Sequence, residues 1–160
     1  MGKDKEFRTI RGYELLRQKH NLITPSMEDY LEMAYRIYQQ TGCIRIGDLA
    51  SRLNVRPPSA SRMVQKLARK GYLIGEKYGV IELTKQGTEY GSYLVTRHAI
   101  IEHFLKLIGV TRGILEQTEK IEHYLQPETV EKLSMFNDFA ENNPQWQKAF
   151  HAYRQGLERN

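Results

Sequence analysis

Apolar side chains recur at helical spacing soon after the start of the chain. They stand at Met27, Tyr30, Leu31, Ala34, Ile37 and Tyr38. This spacing predicts a helix that begins at Thr24-Pro25-Ser26, where Thr24 can cap the helix and Pro25 suits its first turn. Gly42, which follows the last apolar position, is expected to end this helix.

Two more helices and a hairpin are predicted before residue 86. Apolar positions indicate a short helix at about 46–53 and a further helix that runs from Pro57 to about Lys70. Two strand-like runs, 72–78 and 80–84, are joined by a turn near Gly79 and predict a β-hairpin. The order helix, helix, turn, helix, hairpin is typical of a winged helix-turn-helix.

The pattern predicts only helices in the remainder of the chain. The predicted segments are 87–108, about 112–125, 128–141 after Pro127, and a last helix that opens at Pro144. The fold class is therefore mainly α. We expect a basic extension at 1–23, a winged helix-turn-helix with a small β-hairpin wing at 24–86, and a C-terminal all-helical dimerisation domain at 87–160.

The charged residues also differ between the first and the second part of the chain. Residues 1–97 carry 17 basic and 10 acidic side chains, whereas residues 98–160 carry 7 basic and 9 acidic ones. A basic first half indicates contact with a polyanion such as DNA, and a mildly acidic second half indicates another role. The N-terminal extension is interpreted as a basic tail, with a DNA-contacting arm as the alternative.

Composition excludes several classes of protein. The single cysteine, Cys43, excludes an intrachain disulfide and a thiolate zinc cluster within one chain. No apolar run is long enough for a transmembrane helix, and the charged start lacks the apolar centre of a signal peptide. We therefore expect a cytoplasmic protein that does not act at a membrane.

The candidate DNA-binding residues lie on the third predicted helix and on the wing. Residues 43–85 hold nine basic and three acidic side chains. Arginine and lysine neutralise phosphates and read guanine, whereas glutamine can pair with adenine and serine can bind either phosphates or bases. The candidates are Arg56, Ser59, Ser61, Arg62, Gln65, Lys66, Lys77 and Tyr78. A solvated basic face is the alternative, which the helix-turn-helix spacing and the hairpin make less favoured.

Carboxylates and histidines form clusters at helical spacing. The clusters are Asp29 with Glu32, His98 with Glu102, and Glu119 with Glu122 and His123. Each has an ordinary alternative: a capping box between Ser26 and Asp29, ion pairs of Glu32 with Arg36 and of Glu102 with His98 or Lys106, and a hydrated surface for the third. Taken together, donors that are mainly oxygen with some imidazole suit Mn(II) or Fe(II).

Several motifs, taken in order, resemble one family. They are the run from Thr24 to Glu32 (TPSMEDYLE), the run from Met63 to Leu67 (MVQKL), Glu76-Lys77-Tyr78, Arg97-His98, and the run from Glu119 to His123 (EKIEH). Over about residues 24–142 the chain is similar to the DtxR-type metal-dependent repressors. The resemblance implies a homodimeric, metal-activated repressor that binds a palindromic double-stranded DNA operator.

The family's metal-site pattern maps onto six residues of this sequence. They are Asp29, Glu32, His98, Glu119, Glu122 and His123. By this likeness, Asp29 and His98 belong to one metal position, Glu119 and His123 to the other, and the two remaining glutamates bridge. Two metal ions per subunit are implied, with Mn(II) favoured because iron-responsive relatives carry Met in place of Asp29. Fe(II), Co(II), Cd(II) or Zn(II) are possible substitutes.

Two departures from the family pattern stand out. The chain has an extension of about 23 residues before the shared region, and the segment between Gly109 and Glu119 is about one residue shorter than the pattern. No third, SH3-like domain is visible, as in the smaller, manganese-responsive members. Glu102 matches an accessory ligand of larger relatives and is expected here to lie outside the set of direct ligands.

The resulting prediction is a Mn(II)-activated repressor of manganese-uptake genes, and not an enzyme. An iron-responsive or other divalent-metal regulator of the same family is the first alternative. A winged-helix regulator that senses an organic ligand is less favoured. A metal-dependent hydrolase is disfavoured because the chain is small and few acid–base groups remain beyond the proposed ligands.

Overall fold

The computed structural model describes residues 23–158, which divide into two compact units between Leu94 and Val95 along the chain. The elements are α1 (Pro25–Thr41), α2 (Ile46–Arg52), α3 (Pro57–Arg69), β1 (Leu73–Lys77), β2 (Val80–Leu83), α4 (Lys85–Leu107), α5 (Ile114–Ile121), a 3₁₀ helix (Glu122–Tyr124), α6 (Pro127–Glu141) and α7 (Pro144–Glu158). This order confirms the predicted mainly helical class. The predicted domain boundary at residue 86 lies near the start of α4, whereas the compact units divide within that helix.

Helix α1 forms the centre of the N-terminal unit. Its cap is Thr24, whose side-chain oxygen accepts a hydrogen bond from the Met27 backbone amide. Leu31 and Ile37 are fully buried, as their helical spacing predicts. The helix ends at Gly42, which adopts the left-handed conformation (φ 69°) that a residue with a side chain rarely tolerates.

Helices α2 and α3 pack on α1 and on each other as a helix-turn-helix. The turn between them contains Asn54 at φ 54°, a left-handed conformation that asparagine tolerates better than most residues. Leu49, Ala60 and Leu67 are fully buried in the shared core. The opposite side of α3 is exposed to solvent, so this helix presents one polar face.

The wing is a two-stranded antiparallel hairpin, with Leu73 opposite Leu83. Its turn consists of Tyr78 and Gly79, which both have positive φ (55° and 80°). Two successive left-handed residues match the twist of the flanking strands in a tight hairpin. A bridge between Ile44 and Ile81 ties the hairpin to the segment that follows α1.

The C-terminal unit, within residues 95–158, contains helices alone. The segment predicted as one helix over about 112–125 consists of α5 and the 3₁₀ helix that directly follows it. Gly113 adopts φ 63° and thereby delays the start of α5 to Ile114, and the last turn tightens into the 3₁₀ helix that begins at Glu122. Glu122 and His123 therefore lie in a three-residue turn rather than on an α-helical face with Glu119.

Aromatic side chains form the centre of this unit. Phe136 packs edge-on against Phe104 and Trp146, and Trp146 stacks on Phe150. Phe139, on α6, is 51% exposed. Among residues 23–158, none of the helices combines the length and the apolar character needed to cross a bilayer.

Gly87 in the first turn of α4 should be essential to the N-terminal unit. A Cβ at this position would overlap the Tyr72 carbonyl group, which is backbone and cannot turn away. We expect Gly87→Ala to lower the free energy of unfolding by about 1–3 kcal/mol, the usual cost of overpacking. Urea unfolding at one fixed protein concentration measures this change.

Gly47→Ala is the matched control, because Gly47 also lies in a helix but has no atom near the position of a new Cβ. This variant should be stabilised by about 0.5–1 kcal/mol. Equal effects of the two substitutions would contradict the assigned backbone contact.

Candidate metal centre and nucleic-acid interface

Helix α1 carries two of the predicted ligands one turn apart, Asp29 and Glu32. Glu32 is only 7% exposed, and Arg36 donates to its Oε1 from Nε (2.9 Å) and from Nη2 (2.6 Å). The ordinary interpretation of Glu32 as half of an i, i+4 ion pair is thus confirmed. That pair does not exclude metal binding, because a carboxylate has a second oxygen and several lone pairs.

Asp29 is half-buried and is not part of a capping box. Ser26 lies inside the first turn of α1 and the cap is Thr24, so the alternative of a box between Ser26 and Asp29 is wrong. Burial raises the pKa of the neighbouring Tyr30, and the Asp29 carboxylate raises it further. The helix cap therefore does not explain why a carboxylate stands at this position.

The C-terminal unit brings four predicted ligands together. His98, on α4, has its Nδ1 2.9 Å from Oε2 of Glu122 and 3.7 Å from Oε1 of Glu119. His123 adjoins the same group, with its Nε2 3.8 Å from Oε1 of Glu122. One ligand atom each from Glu119, Glu122 and His123 lies within 4.8 Å of the other two.

Glu122 gives the test of whether a cation fits here. Its side chain is fully buried, and its Oε1 is, among the described residues, a buried carboxylate oxygen without a hydrogen-bond donor. A buried ionised oxygen is costly unless a donor or a cation compensates it. Carboxylates with imidazoles form a donor set suited to Mn(II), Fe(II) or Zn(II). The residues of this cluster therefore fit a divalent metal ion.

Glu102 forms an ion pair with Lys106. Lys106 donates to its Oε1 at 2.5 Å, one helical turn further along α4. This arrangement confirms the ion-pair interpretation of Glu102.

The sequence did not single out Glu28, a second fully buried carboxylate. Tyr90 of α4 donates a hydrogen bond to its Oε1 at 2.6 Å, and the Tyr90 ring packs against Tyr72 and Tyr93. Glu28 directly follows the buried Met27, which was the available signal of an acidic residue on a core-facing stretch. Its partner stands 62 residues away and could not be inferred from spacing.

The polar face of α3 carries most of the predicted DNA-binding residues. The exposed ones are Arg56, Ser59, Arg62, Gln65 and Lys66, whereas Ser61 is half-buried. At the wing tip, Tyr78 is 92% exposed, and the side chain of Lys77 lies outside the described residues. The basic extension predicted at 1–23 lies outside them as well, except for Ile23.

Arg45 is an exposed basic residue that the sequence analysis missed. A Cβ added to Gly79 would lie 3.4 Å from its Nη1, so the guanidinium adjoins the wing turn. The Ile44–Ile81 bridge beside it creates this proximity, and no local sequence pattern indicates that bridge. The N-terminal unit thus presents an exposed face of basic and hydrogen-bonding side chains, which is typical of contact with DNA.

Comparison with known families identifies both halves of the chain. Residues 22–81 match the family described as the iron dependent repressor, N-terminal DNA binding domain. Residues 84–151 match the iron dependent repressor, metal binding and dimerisation domain.

Individual relatives give the same result. The HTH-type transcriptional regulator MntR of Listeria welshimeri is 43% identical over 122 residues, which are 76% of this chain and 86% of the relative. The protein of that name from Lysinibacillus sphaericus is 41% identical over 76% of this chain and 88% of its own length.

Solved structures are also similar. The manganese regulator SloR aligns over 73% of this chain with a TM-score of 0.63 and 32% identity, and ScaR with bound Zn²⁺ aligns over 71% with a TM-score of 0.58 and 32% identity. The alignments cover only 55% and 54% of those two chains. The predicted family and the predicted winged helix followed by a helical domain are therefore confirmed. This chain belongs to the iron-dependent, DtxR-type family of metal-binding transcriptional repressors, and the relatives named above are transcriptional regulators and not enzymes.

Proposed function

We propose that this protein is a Mn(II)-activated repressor that acts in the cytoplasm on manganese-uptake genes. The observation that carries the proposal is the buried Glu122, which lies beside His98 and His123 and whose Oε1 accepts no hydrogen bond from the described residues. The relatives named MntR and the manganese regulator SloR favour manganese among the divalent ions. Asp29 favours it too, because by the family likeness the iron-responsive members carry methionine there.

The proposed site holds two metal ions per subunit. His98 and Asp29 would serve one position, and Glu119 and His123 the other, with Glu32 and Glu122 as bridging carboxylates. Support within the C-terminal unit comes from the distances among its four ligands; support for the pair on α1 comes from the burial of Glu32 and from the family pattern. Fe(II), Co(II), Cd(II) or Zn(II) would act as substitutes, since affinity alone does not select Mn(II) over them.

Metal would activate the protein by linking ligands that come from both units. Without metal, the ionised carboxylates of the proposed site repel one another. A metal pair would favour the arrangement that binds it, and its differential affinity for that arrangement supplies the coupling to DNA binding. The chemistry that the bound ion supplies is charge neutralisation; the chain's own residues make the DNA contacts.

Homodimerisation would place two recognition helices on the half-sites of a palindromic operator. The C-terminal unit carries large apolar side chains that remain exposed within one chain: Leu115, Met135, Phe139, Tyr153 and Leu157. Exposed apolar surface of this kind commonly marks a protein–protein interface. The family description of this domain as a dimerisation domain supports the same role.

Replacement of Asp29 tests the metal assignment. We expect Asp29→Met to weaken Mn(II) binding by more than about tenfold, because it removes an oxygen ligand, and to reduce the preference for Mn(II) over Fe(II). Calorimetric titration gives the affinities. Binding to a DNA duplex selected by the wild-type protein from a random pool with Mn(II) gives the functional response.

Asp138→Met is the control, because Asp138 is exposed on α6 and its replacement removes the same charge. Unchanged discrimination between Mn(II) and Fe(II) in Asp29→Met would show that Asp29 is not a ligand. Failure of Mn(II) to raise the DNA affinity of the wild-type protein would refute activation by this metal.

The DNA-binding face is tested by Arg62→Ala and Lys66→Ala. Each should weaken binding and reduce the slope of log K against log salt concentration by about 1, because one phosphate contact is lost. Fluorescence anisotropy at several salt concentrations measures both quantities. Lys132→Ala, which removes an exposed charge on α6, should leave the slope unchanged. Equal slopes in all three variants would place the interface elsewhere.

A further inference from the structure

A cavity lies within the C-terminal unit, between the end of α4 and one side of α7. Its volume is about 420 Å³, which is in the range of cavities that hold small organic ligands. The described residues that line it all belong to these two helices. None of them is a proposed metal ligand or a candidate DNA-binding residue, so the proposed function leaves this cavity without a role.

Two stacked aromatic rings form part of the lining. Trp146 and Phe150 stand one helical turn apart on α7, with their ring centroids 5.2 Å apart and their planes only 12° from parallel. Both side chains are half-buried, so neither ring is fully covered by the rest of the unit. Such a surface favours a planar ring on the ligand, because offset stacking adds to the gain from burying apolar area.

The charged part of the lining is basic. Lys106, Lys148 and Arg154 contribute it, and none of the described residues that line the cavity is acidic. Lys106 already forms an ion pair with Glu102, which lies outside the lining. A cleft lined by charges of one sign attracts ligands of the opposite sign, so this cavity favours an anion.

The fold holds the guanidinium of Arg154 at this cavity. Its Nη2 donates a hydrogen bond to the carbonyl oxygen of Gly109, just beyond the end of α4, at 3.1 Å. A Cβ at Gly109 would overlap the guanidinium, so the absence of a side chain there leaves room for it. Arg154 therefore also serves the carbonyl groups at the helix end, as basic residues commonly do.

Lys148 has no comparable structural role. It is exposed on α7, and among the side chains that the structure describes none forms an ion pair or a hydrogen bond with it. Its ammonium group can therefore meet a ligand without first breaking a contact within the described part of the chain.

We propose that this cavity binds a small organic anion, in which a planar ring carries a carboxylate or a phosphate group. The ligand's ring packs against Trp146 and Phe150, and its charged group pairs with Lys148. The site uses no residue of the proposed metal centre. The inference therefore goes beyond the proposed function and does not depend on it.

Trp146 makes the test local, because it is the only tryptophan of the chain. The full chain, with a chelator present and at constant ionic strength, is titrated with benzoate, benzamide and acetate. These probes supply ring and charge, the ring alone, and charge alone. We expect benzoate to change the tryptophan fluorescence saturably, with an affinity about fivefold above that of benzamide, and acetate to give no saturable change.

Phenyl phosphate is titrated in parallel and distinguishes the two kinds of charged group. Tighter binding of either benzoate or phenyl phosphate than of benzamide supports the proposal, and the tighter of the two identifies the preferred group.

Lys148→Glu reverses the charge that is assigned to the ligand's anionic group. It should weaken the binding of benzoate more than about fivefold, because a repulsive contact replaces an attractive one, and should change that of benzamide less than about twofold. Lys132→Glu is the matched control, because it makes the same change on α6, outside the lining of the cavity. It should leave the affinities of both probes unchanged.

Equal affinities for benzamide and for both anionic aromatic probes would overturn the inference. So would the lack of a saturable signal with every probe, or equal effects of Lys148→Glu and Lys132→Glu on benzoate binding. The proposed function is tested separately by the response of DNA binding to Mn(II), which none of these titrations measures. Failure of one therefore leaves the other standing.

Discussion

The burial of Glu122 is the constraint on which the C-terminal unit depends. A carboxylate that is fully removed from water needs partners for both oxygens. His98 satisfies one oxygen, and the described residues supply no donor to the other. The cost of this incomplete compensation falls on the metal-free protein, and a divalent ion would remove it. Under the proposed function, this cost is the reason why the unit would respond to a cation.

Two buried carboxylates in this chain have different roles because their partners differ. Glu28, on α1, accepts a hydrogen bond from Tyr90, which lies in a stack of tyrosines, so its partner is part of the fold. Glu122 has imidazole partners that can themselves bind metal. A glutamate side chain therefore belongs to the core in one unit, and in the other unit it belongs to the proposed metal site.

The sequence predicted what local spacing determines. Helix α1, its Thr24 cap and its end at Gly42 follow from residues that lie close together along the chain. The partner of Glu28 and the contact of Arg154 with Gly109 were not predictable, because each joins residues that tertiary packing brings together. The segment predicted as one helix over about 112–125 differs in a local way, because its last turn is a 3₁₀ helix that begins at Glu122. Apolar periodicity does not distinguish an α-helical turn from a 3₁₀ turn.

The connection before α5 has a consequence for how the length of the chain can vary. Gly109 and Gly113, both at positive φ, bound a non-helical connection, so an insertion or deletion between them leaves the phase of α5 unchanged. A one-residue deletion between Glu119 and Glu122 would instead rotate the two carboxylates relative to each other by about 100°. The segment that is shorter than the family pattern includes this tolerant connection. Related chains can therefore differ in length here, whereas the proposed metal site requires the spacing from Glu119 to His123 to stay fixed.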